Sequence, residues 1–263
     1  MTPSITSTVF NGRPAAVVII NCAYGTPYSD DAVMVYNPDL ELVAVLEPLG
    51  QKASLGGRID DFNITSLTAF GESFHLTWDG IGLYGDEPSH FGYKSGSADG
   101  DFVWDGQDFV VTDVLFHTPQ GDVRMPEVSA VQDFATAISI GDDATASQSA
   151  TPEAMASLSD RMRTAAAAPE TVREFVFAPG VTVEECAFVP PTWSDSDMAY
   201  FPSGRKTKFT RPSEMQGGDV ICATTYGSSG VRGSGEYYMW ILLHPHEDGT
   251  FEAYEFSMSD VFC

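Results

Sequence analysis

The chain has 263 residues, 43% hydrophobic and 12% aromatic, which is ample material for a core and argues against disorder of the whole chain. Its formal charge is −24, from 37 acidic against 13 basic residues, a surface that repels phosphate backbones and anionic lipid heads and argues against nucleic-acid and membrane-surface binding. No apolar run approaches the roughly 20 residues that span a bilayer, so no transmembrane segment is expected; the longest, Ala15 to Ile20, has strand length.

Met1 to Asn11 lacks the basic and apolar regions of a signal peptide. It reads as a polar Ser/Thr-rich lead-in of the kind that follows a removed leader. Ala15–Asn21, Ala32–Asn37 and Leu42–Glu47 are Val- and Ile-rich strand runs, with a turn at Asn37-Pro38-Asp39. Ile64–Ala69 and Ser73–Trp78 flank a second hairpin signal, Phe70-Gly71-Glu72. Phe102–Trp104 and Phe109–Val114 flank a third, Asp105-Gly106. The alternation in "FNITSLTAFGESFHLTW" suits an antiparallel sheet with one wet face. The glycine-rich stretch 79–100 is long enough to be a functional loop. Its aromatic and imidazole side chains Tyr84, His90, Phe91 and Tyr93 are candidate ligand contacts.

The middle changes character. Glu127–Ile138 places Val128, Val131, Phe134 and Ile138 on one helical face. Gly141–Ala150 is small and polar, a linker. Thr151-Pro152-Glu153 has the N-cap, first-turn proline and early acid of a helix start, and Met155, Leu158 and Met162 supply its apolar stripe up to Pro169. Strand signals then return at Phe175–Phe177, Thr182–Phe188, Lys206–Thr210, Asp219–Thr224, Tyr237–Leu243 and Phe251–Phe256. The expected fold is mainly β, of the α+β class: an N-terminal antiparallel β module (1–125), a helical linker region (126–170) and a C-terminal β module (171–263). The similar layout around Cys22/Tyr24-Gly25 and Cys222/Tyr226-Gly227 raises a degenerate internal repeat.

The four cysteines form no C-x-x-C, which argues against a zinc knuckle or thioredoxin-type site. Three of them, Cys186, Cys222 and Cys263, lie in the C-terminal part and are the disulfide candidates, Cys222 pairing with either Cys186 or Cys263. Cys22 reads as a buried free thiol.

Candidate chemistry is sparse. His244-Pro245-His246-Glu247-Asp248 gathers two imidazoles and two carboxylates, but in a turn and without a third distant ligand. Asp195/Asp197 and Asp99/Asp101 lack calcium-loop spacing. "YGSSGVRGSG" is neither a phosphate-binding loop nor a nucleophile elbow. No metal site, no cofactor and no catalytic set is therefore assigned. Arg205, Lys206, Lys208 and Arg211 concentrate four of the 13 bases within seven positions and are a candidate docking patch for an anionic polymer or an acidic partner.

Residues 11–113, through "RPAAVVIINCAYGTPYSDDAVMVYNPDLELVAVL", "ITSLTAFGESFHLTW" and "DFVWDGQDFVVTDV", resemble a propeller-repeat-like β module of uncharacterised exported proteins and lipoproteins of high-GC Gram-positive bacteria. The acidic calcium loop of many such modules is replaced here by "FNGRPAA", so a calcium site is not implied. The resemblance implies an extracellular or envelope-attached protein. The function expected is a non-catalytic binding or accessory role toward an unknown protein or envelope polymer. The alternative is a hydrolase of envelope or extracellular substrate working in a cleft between the modules.

Overall fold

Asn11 and Gly12 both adopt positive φ, 50° and 70°, the combination that a two-residue hairpin needs to match right-handed strand twist. This turn joins β1 (Ile5–Phe10) to β2 (Arg13–Ala23), with Phe10 opposite Arg13. The expected polar lead-in is thus an edge strand. The computed structural model describes residues 5–23, 29–46, 62–86, 94–161, 171–189, 198–201, 203, 206–208, 212–225 and 239–258. With β3 (Ser29–Tyr36) and β4 (Leu42–Leu46), the first two strands form an antiparallel sheet in the order β1-β2-β3-β4. Asn37 closes its last turn, its Oδ1 accepting from the Asp39 and Glu41 N–H groups at 3.0 and 2.9 Å.

The second sheet is a five-stranded meander: β5 (Asn63–Phe70), β6 (Ser73–Ile81), β7 (Gly96–Trp104), β8 (Phe109–Thr118) and β9 (Gly121–Val123). Along β6 burial alternates, with Phe74, Leu76 and Trp78 inside and His75 and Asp79 toward water. The long loop expected over 79–100 is shortened from both ends by β6 and β7. The two sheets are tied by Thr8 Oγ1 donating to Gly71 O (2.9 Å) and by the buried Asp31, which accepts from Asn21 Nδ2 (2.7 Å) and the Ile64 N–H (2.8 Å).

Four helices follow among the described residues. α1 (Val128–Ile140) buries Val131, Phe134, Ala135 and Ile138 and ends at Gly141 in the left-handed region, φ 79°. α2 (Asp143–Ala146), capped by Asp142, occupies the stretch expected to be a linker. α3 (Pro152–Ser157) begins at the expected Thr151 cap. α4 (Val172–Val176) stands where Phe175–Phe177 suggested a strand. There the Thr171 and Glu174 side chains form a reciprocal capping box, and that local signal outweighs the β preference of the two phenylalanines.

The third sheet comprises β10 (Thr182–Phe188), then, after the short ribbon of β11 (Met198–Tyr200) and β12 (Lys206–Lys208), β13 (Val220–Thr225), β14 (Met239–Pro245) and β15 (Phe251–Met258), in the order β10-β13-β14-β15. Both its faces are covered. One joins the main core, which runs from Phe10 and Val33 through Trp78, Phe116 and Phe134 to Ile241 and Phe256. The other carries a smaller cluster with Ile221, Trp240, Leu242, Tyr254 and Met215. Double burial explains why "VICAT" and "MWILL" are nearly continuous apolar runs. Phe116 meets Phe188 edge-on at 4.7 Å, a direct contact of the second sheet with the third. The architecture is mainly β, three antiparallel sheets with few helices.

Candidate functional site: the seam between the second and third sheets

Arg124, just beyond β9, fastens the two sheets. Its Nε and Nη2 donate to the two oxygens of Asp113 on β8, each at 3.0 Å, and its Nη1 donates to Glu247 O at 2.5 Å in the β14–β15 turn. The Arg124 N–H also donates to His246 O at 3.0 Å. The guanidinium holds the Asp113 carboxyl below the usual carboxylate range.

A groove follows this seam as three adjoining cavities of about 710, 560 and 320 Å³ that share wall residues, Arg124 between the first two and His246 between the last two. The wide end has an apolar floor that includes Phe116 and Cys186, and polar walls that include Thr112, Glu127 and Glu184. The narrow end lies between the β8–β9 hairpin (Thr118, Gln120, Asp122), the turn before β13 (Gln216 to Asp219) and the far ends of β14 and β15 (His244, Glu252).

The turn reaches the hairpin through two glycines. A Cβ on Gly217 would lie 3.0 Å from Gln120 Oε1 and 3.1 Å from the Tyr84 carbonyl oxygen. One on Gly218, whose φ is +95°, would lie 2.8 Å from Thr118 Cγ2. Only residues without a side chain let the two sheets approach this closely.

Asp219, at the end of this turn, is buried and accepts three hydrogen bonds, from His244 Nδ1 (2.7 Å), Tyr254 Oη (2.7 Å) and the Gln216 N–H (2.9 Å). The imidazole stacks on the Tyr254 ring, centroids 4.0 Å apart and planes 10° apart. Burial, then the adjacent Asp219 charge, push the Tyr254 hydroxyl well above its ordinary value, so it remains a donor across the physiological range. Outside the groove, on the wet face of the second sheet, His117 bonds Asp122 through Nδ1 (2.8 Å) and Asp99 through Nε2 (2.6 Å). Its pKa is raised, chiefly by the Asp122 hydrogen bond.

The residues singled out in the sequence are distributed as follows. Cys186 and Cys222, directly opposite on β10 and β13, form a disulfide, which selects one of the two expected pairings. Cys263 and the Cys22 side chain lie outside the described residues; Cys22 is the penultimate residue of β2, opposite Asp30, whereas Cys222 is mid-strand and bridged. Tyr84 is half-buried against the smaller apolar cluster. His90, Phe91 and Tyr93 lie outside the described residues, as do Arg205 and Arg211. Lys206 and Lys208 lie on β12, opposite Tyr200 and Met198, and their side chains are likewise outside the description. Of the His244–Asp248 cluster, His244 turns to Asp219; Asp99 and Asp101 are bonded to His117 and His75. Among the described residues no group of three or more His, Cys, Asp or Glu has the arrangement to hold a metal ion.

The Asp219–His244–Tyr254 set has no signature in sequence spacing. It forms because Val220 pairs with Leu243, which brings the preceding aspartate level with the following histidine. An acid and a histidine flanking the ends of two adjacent apolar strands was the one available hint. Comparison with protein-family models, curated proteins and solved structures finds no match to this chain.

Proposed function

We propose that the chain is an exported or cell-surface accessory protein that binds an envelope polymer in the wide end of the seam groove. The observation that carries this reading is the groove itself. An apolar floor beneath a few polar wall groups, contributed by two different sheets and the start of α1, is the usual build of a ligand seat. Thr112 and Glu127 offer a hydroxyl and a carboxylate suited to a hydroxyl-bearing chain. The acidic surface disfavours an anionic polymer. Export is supported by the Cys186–Cys222 disulfide, since such bridges persist in oxidising compartments. The sequence pattern of residues 11–113, read as resembling modules of exported Gram-positive proteins, points the same way.

The test is co-sedimentation with isolated bacterial envelopes, before and after protease stripping. Retention on stripped envelopes is expected. Thr112→Trp, which plugs the groove from an exposed wall position, is expected to weaken retention tenfold or more while leaving the melting temperature in place. Binding that disappears with the envelope proteins would replace the polymer by a protein partner, and binding indifferent to Thr112→Trp would remove the groove from the account.

A further inference from the structure

The narrow end of the seam carries a second chemistry that does not depend on the binding role of the wide end. Asp219 is 3% exposed, and an ionised carboxylate only accepts hydrogen bonds. Its bond to His244 Nδ1 therefore places the imidazole proton on Nδ1 and turns the lone pair of the neutral ring to Nε2. Stacking on Tyr254 fixes the ring plane. Nε2 has no partner among the described residues, and His244 borders the cleft of about 320 Å³, the scale of one small organic unit. Gly217 and Gly218 border the same cleft. Neither of their N–H groups has a hydrogen-bond partner among the described residues.

We propose that this cleft hydrolyses short acyl esters of neutral, hydroxyl-rich compounds, with His244 as the general base and Asp219 as its positioning residue. Nε2 takes a proton from a water molecule as the water oxygen bonds to the ester carbonyl carbon, and the carbonyl π pair moves onto oxygen. The N–H groups of Gly217 and Gly218 are the donors available to that oxyanion. The carbonyl then re-forms, the bond to the alcohol oxygen breaks, and the alkoxide takes the proton from Nε2. Ester plus water gives acid plus alcohol, and His244 returns to its neutral state. Gln120 and Gln216 supply amide groups, and Asp122 and Glu252 supply acceptors, for the hydroxyls of the alcohol part; the two acids exclude anionic substrates. Glycoside hydrolysis is less suited, because it calls for a carboxylic acid proton donor opposite a second carboxylate.

The experiment uses the full oxidised chain with 4-methylumbelliferyl acetate and with 6-O-acetylglucose, following acetate release. The wild type is expected to turn over both. His244→Gln is expected to lower kcat/KM about a hundredfold or more, within the range general-base catalysis supplies. Asp219→Asn is expected to lower it as well, with a changed pH profile. A second measurement is independent of how well the variants fold. Ethoxyformylation of the wild type by diethyl pyrocarbonate is expected to abolish turnover as His244 is modified, and hydroxylamine is expected to restore it. No acetate release above buffer, equal kcat/KM in His244→Gln, or undiminished turnover after His244 is modified would each overturn the proposal. Envelope co-sedimentation measured on the same samples separates this outcome from a failure of the binding reading.

Discussion

His117 bonds one carboxylate through each ring nitrogen, and only the protonated imidazole donates to both. Its pKa is raised in the folded protein, chiefly by the Asp122 hydrogen bond and then by Asp99 against a desolvation cost. The resulting stabilisation is fully present below the unfolded value of about 6.5 and is lost as pH rises through the folded pKa. The melting temperature is therefore expected to fall between pH 6 and pH 8 by more in the wild type than in His117→Gln. A ring titration followed by NMR should place the His117 midpoint above 6.5. A midpoint at or below that value would detach Asp99 and Asp122 from it. At the same scale, Asp219 and His244 lie 25 positions apart and Asp219 and Tyr254 lie 35 apart. Nothing local to any of the three marks them as a set. Their meeting is a property of strand register, which short sequence patterns do not encode.

Most elements were legible because their burial is periodic. β6 alternates and α1 carries a stripe, so both are readable in the sequence. β1 is not, because its apolar residues Ile5 and Val9 face water, 66% and 54% exposed, and leave no hydrophobic pattern. The Asn11-Gly12 turn was the signal that would have revealed it. α4 is masked in the sequence because Phe175–Phe177 has strand character, which the Thr171/Glu174 capping box overrides. The disulfide joining β10 to β13 was narrowed to two pairings, and the fold chose between them by placing Cys186 and Cys222 opposite one another. It closes a segment of 36 residues, and in the chain-entropy account a loop of that length is worth about 3 to 4 kcal/mol. The double variant Cys186→Ala/Cys222→Ala is expected to lose stability of that order in urea unfolding. A loss under about 1 kcal/mol would mean that the Cys186–Cys222 bridge restrains the unfolded chain little.

At the scale of the molecule, one apolar core threads all three sheets and α1, so heating is expected to unfold the described body in one cooperative transition. The net charge of −24 sets how that transition responds to salt. Raising ionic strength from about 0.01 to 0.15 M shortens the Debye length from about 30 to about 8 Å and relieves the self-repulsion of the native surface. Calorimetry is expected to show a melting temperature that climbs with sodium chloride. A decline would mean that pairs such as Arg124–Asp113 and Arg173–Asp143 outweigh the bulk repulsion. The groove and the disulfide also share a wall. Cys186 lines the wide cavity at 6% exposure, while Cys222 is wholly covered. A small thiol reagent thus approaches the bridge from the groove side, so whatever fills the groove also shields the sulfurs. On the proposed binding role, the rate at which a reductant opens the bridge would report occupancy of the groove, slow when a ligand is bound and fast when none is.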